Sequence, residues 1–188
     1  MDQEQQGDAA ELEAPMSATP GSTIEGAQDA TRIKNPIILL LWNQLPAWQQ
    51  DNQYIHSGYR PVSNSHLKSI HSLTYLHNES VNIYTHLIGM ATAAILCLVV
   101  VSNIAKSRHD TASWSDVLAM GTFFISTIFC LGMSASYHTL SNHSPRINNL
   151  SNKLDLLGIV LLIWGSIVSI IYYEWYCERN IKIAYCTM

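Results

Sequence analysis

Charged residues are missing from much of this 188-residue sequence. Three windows contain no Asp, Glu, Lys or Arg at all, and these are residues 81–105, 117–145 and 156–173. A membrane-spanning helix needs about 20 mostly apolar residues, so each window is about long enough to cross a bilayer. An ordinary soluble domain is therefore excluded, although 48% hydrophobic residues and a mean hydropathy of +0.09 would alone suit one. We predict an all-α, multi-pass transmembrane helical bundle.

Basic residues and large apolar side chains are both scarce at the N-terminus. The first thirty residues hold seven acids and no Lys or Arg, whereas a secretory signal has a basic start and an apolar stretch. We predict a disordered acidic tail over 1–33, because so few apolar side chains cannot offset the entropy lost on ordering. Residues 34–80 are rich in Trp, Tyr and turn residues, which favours a juxtamembrane, interfacial segment. Residues 81–188 are predicted to form the membrane domain. Its spans are expected at about 81–101, 117–138 and 154–173, followed by the start of a fourth.

The sequence also lacks the cysteine spacings of metal sites and clusters of basic residues. None of the four cysteines lies in a Cys-x-x-Cys pair, so they give no metal signal. The net charge is −4 and no basic cluster recommends a nucleic acid as partner. The lipid bilayer is the partner that the composition predicts.

The Lys and Arg residues that flank the spans predict the orientation of the chain. Six of them lie on the N-terminal side of the membrane and four on the other side. The six are Arg32, Lys34, Arg60, Lys68, Arg146 and Lys153. Short cytosolic segments carry the excess of positive charge, so we expect a cytosolic N-terminus.

Ionisable groups at membrane depth are costly and are therefore candidates for function. Ser134 and His138 are four residues apart on one helical face near the end of the second span, and Asp155 starts the third. With a connection of about a dozen residues between the spans, we expect all three at one depth and on one side. An imidazole and a carboxylate placed in this way could coordinate zinc, directly or through water. Two other interpretations stay open, namely interhelical hydrogen bonding by Ser134 and His138 and a helix-dipole role for Asp155.

The segment from His77 to His86 is a third polar stretch at a span boundary. Asn78 or Glu79 could cap the first span, while Asn82 and His86 share a face towards other helices. Capping and packing explain this segment without a ligand. The other histidines are predicted to face solvent, and these are His56, His66, His71, His109 and His143. The glycines inside the spans are expected to permit close helix approach.

Six motifs in order resemble one family of membrane proteins. They are Trp42-Asn-Gln-Leu-Pro-Ala-Trp48, Asp51-Asn-Gln-Tyr-Ile55, Gly58-Tyr-Arg-Pro61, the segment from His77 to Leu87, Ser134-x-x-x-His138, and Lys153-Leu-Asp155-x-x-Gly158. Together they resemble the progestin and adipoQ receptor family, which includes the adiponectin receptors and is related to the hemolysin III proteins. The resemblance covers about residues 36–188.

The resemblance implies a seven-helix membrane protein with a cytosolic N-terminus and a zinc ion near the cytosolic side. This chain would supply the first three helices and the start of the fourth. His138 would be a zinc ligand, Asp155 would contact the zinc-bound water, and Ser134 would be its polar neighbour, the last two as catalytic residues. Family members take two further ligands from a His-x-x-x-His motif, which this sequence lacks. We therefore expect this chain alone to hold zinc weakly and to be inactive as a hydrolase.

Two functions are implied for intact members of the family. One is a zinc-dependent hydrolase of lipid amides such as ceramides, in which zinc acidifies a water and polarises the carbonyl. The other is a non-catalytic receptor or regulator in lipid and metal homeostasis signalling, with a lipid or sterol as ligand. For this chain, an inactive truncated fragment is a third alternative.

Overall fold

The protein is helical throughout the part of the chain that the computed structural model describes, residues 38–107 and 113–187. The helices are α1 (His66–His71), α2 (Ser80–Ser107), α3 (Trp114–Leu140), α4 (Pro145–Glu174) and α5 (Arg179–Thr187), with short 3-10 turns before α1 and α2. Within those ranges no strand forms, and the predicted all-α helical bundle is confirmed. The predicted acidic tail over 1–33 lies outside the described residues, as does His109.

Three of the helices are long and apolar enough to cross a membrane. They are Ser80–Ile104, Trp114–Leu140 and Pro145–Glu174, and each contains one predicted span. The helices extend beyond the charge-free windows because polar residues can continue a helix past the apolar core of a bilayer. Pro145 is the first residue of α4, a position that its fixed φ suits and that needs no backbone N–H.

The connection between α3 and α4 is much shorter than predicted. Only residues 141–144 separate the two helices, so the expected loop of about a dozen residues is wrong. Asp155 consequently lies almost three turns inside α4. The helix dipole acts within about the first turn, so the N-terminal dipole interpretation of Asp155 is wrong as well.

α3 lies between α2 and α4 and packs most closely on α4. A Cβ at Gly165 would lie 2.7 Å from the Ser126 Cβ, and one at Gly158 would lie 3.0 Å from the Cys130 Cα. These two glycines do permit the close helix approach that the sequence predicts. The prediction fails at Gly121, where a Cβ would meet nothing within 4 Å.

The juxtamembrane segment is fastened to the end of α3. The backbone N–H groups of Ser63 and Asn64 donate to the carbonyls of Asn142 and His143, at 2.9 and 3.0 Å. The buried Asn142 side chain donates to the Pro61 carbonyl at 2.9 Å. The segment therefore covers the α3–α4 connection.

His143 is the one described histidine of the predicted solvent-facing set whose environment departs from that prediction. It is half-buried and its ring lies 4.3 Å from the His66 ring, between centroids. The prediction failed because a four-residue connection holds His143 against the juxtamembrane segment instead of projecting it into water. His56, His66 and His71 are exposed as predicted.

Candidate functional site

His138 meets a carboxylate from another helix. Its Nδ1 lies 2.8 Å from Oε2 of Glu79, a residue 59 positions earlier that immediately precedes α2. Glu79 also accepts hydrogen bonds from the side-chain amides of Asn78 and Asn82, at 2.8 and 2.9 Å. The His86 ring is stacked on the His138 ring with 5.7 Å between centroids. The two side chains of the pair are about one-fifth exposed, so the pair lies at the boundary of the bundle.

The Glu79 carboxylate is ionised in this environment. Burial by itself would raise its pKa, but the hydrogen bonds from His138 and Asn82 and the positive charge of Arg60 outweigh burial and hold the pKa below its usual value. Glu79 is therefore a hydrogen-bond acceptor at neutral pH.

Arg60 fixes the backbone of His138. Arg60 is 2% exposed. Its guanidinium donates to the carbonyls of His138 and Thr139, at 2.6 and 2.9 Å. It also donates to the hydroxyls of Ser72 and Ser141, at 2.7 and 2.9 Å. The last carbonyls of a helix lack partners within the helix, and a cation complements the dipole at that end. Burial lowers the pKa of Arg60 to about 10, so the group stays charged at neutral pH. We call the end of the bundle where α2 and α4 begin and α3 ends the near end, and the opposite end the far end. Arg60, Glu79 and His138 form the near-end cluster.

A small polar cleft lies beside the near-end cluster. Its volume is about 40 Å³ and its lining includes Asp51, Asn78 and the buried Gln49. Burial, and then the charge of Glu79, raise the pKa of the Asp51 carboxyl. A cleft of this size holds about one water molecule. The near-end cluster therefore borders a polar cleft that has room for about one water molecule.

The three side chains predicted for the site are placed on two adjacent helices. Ser134 is buried on α3 one turn before His138. Asp155 is half-buried on α4. Across the described ranges, Asp155 and His138 form no direct hydrogen bond or ion pair. A shared ion or a bridging water between them stays a prediction.

The geometry of His138 fits a metal ligand, but the described residues do not complete a metal site. Metal-binding histidines usually donate their other ring N–H to a carboxylate or carbonyl, as His138 can through Nδ1 to Glu79. A catalytic zinc site takes three protein ligands. Among residues 38–107 and 113–187 no group of three or more His, Cys, Asp or Glu side chains could hold a metal ion. The near-end cluster offers one ligand position.

Sequence reasoning assigned Glu79 and Arg60 no place in the site. Asn78 or Glu79 was predicted as a possible cap of α2. Glu79 does directly precede that helix, yet its carboxylate binds His138 of α3. At the start of α2 it is the Ser80 hydroxyl that accepts a backbone N–H, from His77 at 2.9 Å. The sequence does place a base, Arg60, and an acid, Glu79, before the charge-free window 81–105. Charged side chains close to a membrane span need partners, and this could have indicated their pairing.

Comparisons with known proteins agree with this architecture. The model of a family described as haemolysin-III related matches residues 74–188. The chain is 43% identical over 141 residues to "ADIPOR-like receptor IZH2" of Saccharomyces cerevisiae, covering 73% of this chain and 43% of the yeast protein. It is 37% identical over 147 residues to "Adiponectin receptor protein" of Drosophila melanogaster, covering 78% of this chain and 32% of the fly protein. The human "Progestin and adipoQ receptor family member 3" is 33% identical over 150 residues, with coverage of 79% and 47%. The chain spans less than half the length of these relatives.

Proposed function

The chain belongs to the haemolysin-III related family, and from this premise we propose that it acts as a zinc-binding membrane receptor of the adiponectin-receptor type. Its functional centre is the near-end cluster. The observation that carries the proposal is the 2.8 Å contact between His138 Nδ1 and Glu79, because a carboxylate on one ring nitrogen is the usual companion of a metal on the other.

Within this proposal each predicted residue has its own task. His138 would hold the ion through Nε2, and Asp155 on the adjacent helix would orient a water molecule bound to it. Ser134, buried one turn from His138, is a polar neighbour of the same helical face. Bound zinc would polarise a carbonyl and acidify water. A complete site needs two more protein ligands than the near-end cluster supplies.

A groove beside the cluster favours a lipid as the ligand. It has a volume of about 740 Å³ and is lined mainly by apolar side chains of α1 to α4, such as Leu87, Met90 and Leu154. Thr139, the neighbour of His138, lies on its wall. Ligand pockets commonly enclose about 300–1,000 Å³, so an acyl chain or a sterol ring system matches this groove in size and polarity.

Metal analysis of the purified chain in detergent tests the zinc proposal. We expect zinc to bind sub-stoichiometrically at low concentration and to saturate only at high concentration, because His138 is a single imidazole ligand. His138→Ala should remove the saturable component, whereas His71→Ala, at an exposed histidine, should not. Equal zinc binding by the native chain and the His138 variant would contradict the proposal.

Ceramide turnover separates the receptor from a hydrolase. Because this chain alone is expected to be inactive, turnover is measured in an intact homologue, where it should be lost when the aspartate that matches Asp155 is replaced by Ala while the fold is retained. Zinc binding without turnover would favour the receptor, with zinc in a structural role.

The proposal places the N-terminus and the near-end cluster on the cytosolic side. The six-to-four excess of Lys and Arg on that side supports this orientation. An engineered glycosylation site near Gly21 should remain unmodified in cells, while one introduced between α2 and α3 should be glycosylated. A glycan at the Gly21 site would contradict the orientation.

A further inference from the structure

We infer that Glu79 is a positioning residue that fixes the tautomer and the ring orientation of His138, so that Nε2 is the nitrogen presented to a ligand. The identity of that ligand as zinc rests on the proposed function. The state of the His138 ring does not, and can be measured without any metal.

The hydrogen-bonding rules of the two side chains give the tautomer. An ionised carboxylate only accepts hydrogen bonds, and a neutral imidazole donates from one nitrogen and accepts at the other. Since Nδ1 of His138 lies 2.8 Å from Glu79 Oε2, the proton of the neutral ring is on Nδ1. Nε2 then keeps the lone pair that a metal ion or an acidic proton requires.

Glu79 can impose this state because its own position is fixed. Asn78 donates to Oε1 at 2.8 Å and Asn82 donates to Oε2 at 2.9 Å. One amide precedes α2 and the other lies in its first turn. Moving the carboxylate away from His138 would therefore disrupt hydrogen bonds at the start of α2. A carboxylate held in this way is oriented before any ligand arrives.

The backbone of His138 is fixed independently. Arg60 donates to the His138 carbonyl at 2.6 Å and to the Thr139 carbonyl at 2.9 Å. The ring is further confined by His86, whose ring is stacked on it. Main chain and side chain of His138 are thus held by separate elements, which restricts the ring to one orientation.

A purely structural role for Glu79 makes a different prediction. If the pair only joined α2 to α3, loss of the carboxylate would lower stability without determining which nitrogen carries the proton. The tautomer is therefore the measurement that separates the two roles.

The experiment is imidazole nitrogen NMR on ¹⁵N-histidine-labelled chain in detergent micelles at pH 8, without metal. This pH is well above the ordinary range for histidine. The His138 signal is identified by its loss in His138→Gln. We expect the Nδ1–H tautomer in the native chain, and a shift towards Nε2–H in Glu79→Ala. Glu178→Ala, which removes an exposed glutamate at the other end of the bundle, should leave the His138 signal unchanged.

Two outcomes overturn the inference. One is a native His138 ring that is mainly Nε2–H, a result that needs no Glu79 variant and so does not depend on its folding. The other is an unchanged tautomer in a Glu79→Ala chain whose helical circular dichroism matches the native protein.

Zinc titration distinguishes failure of this inference from failure of the proposed function. Loss of an orienting partner typically weakens metal affinity by about 10–100-fold, so we expect a loss of this size in Glu79→Ala and none in Glu178→Ala. If His138→Ala leaves zinc binding unchanged, the proposed function fails while the tautomer result stands. If His138→Ala removes zinc but Glu79→Ala changes neither affinity nor tautomer, only the inference fails.

Discussion

The two ends of the helical bundle each contain a carboxylate with several hydrogen bonds, but the partners differ. At the far end, Asp116 accepts from the backbone N–H and the hydroxyl of Ser113, at 2.7 and 2.8 Å, and from Tyr172 at 3.2 Å. Two of these bonds cap the start of α3 and join residues that are only three positions apart. At the near end, Glu79 reaches His138 across 59 residues. A carboxylate at a helix start can therefore cap that helix or join it to another helix.

The two ends also differ in how many buried polar atoms lack a hydrogen-bond partner. In the described ranges five buried side-chain atoms have no partner, and all five lie at the near end. They are Gln49 Oε1, Arg60 Nε, His77 Nε2, His86 Nδ1 and Asn148 Oδ1. Buried polar atoms without partners are costly, and each calls for an explanation. The near end therefore has more unused hydrogen-bonding capacity than the far end within the described ranges.

Among these variants, Arg60→Ala is expected to cause the largest loss of stability. Arg60→Ala leaves the His138 and Thr139 carbonyls and the buried Ser72 hydroxyl without their donor. Hydrogen bonds to charged groups contribute about 1.5–3 kcal/mol each, although not additively. We expect a loss of about 3 kcal/mol or more in the free energy of unfolding, measured by SDS titration in mixed micelles.

Ser113→Ala is the matched change at the far end. It removes one hydroxyl of the capping box, for which a cost of about 1 kcal/mol is typical. Equal losses for Arg60→Ala and Ser113→Ala would mean that the near end is fastened no more strongly than an ordinary helix start.

The sequence predicted what is local and missed what is long-range. Charge-free windows located α2, α3 and α4 because bilayer thickness sets the length of an apolar helix, and the i, i+4 spacing placed Ser134 and His138 on one face. No such period connects Arg60 or Glu79 to His138, since their positions depend on how the juxtamembrane segment folds back on α3. The same limit explains the overestimated α3–α4 connection. Charged residues before Asp155 were counted as loop, whereas they continue α4.

A smaller effect is expected in the pH dependence of stability. Burial, with a further contribution from the positive charge of Arg60, lowers the pKa of His77 to about 4, from an ordinary value of about 6.5. Between these two values the unfolded chain binds more protons than the folded one. Stability is therefore highest above about pH 6.5 and falls as the pH drops towards 4. We expect the melting temperature in detergent to decrease steadily from pH 7 to pH 5.

His77→Asn should make this decrease shallower while the near end stays folded. The Nδ1 of His77 accepts the Glu79 backbone N–H at 3.1 Å, and an Asn side-chain oxygen can accept the same bond without titrating. The control is His71→Asn, because His71 is exposed and its replacement should leave the profile unchanged. Keeping the range above pH 5 avoids the region where Glu79 is protonated, since the pKa of that carboxyl is below its usual value. Identical profiles for the native chain and His77→Asn would show that acid does not act through this histidine, and that the near end is no more sensitive to protons than the far end.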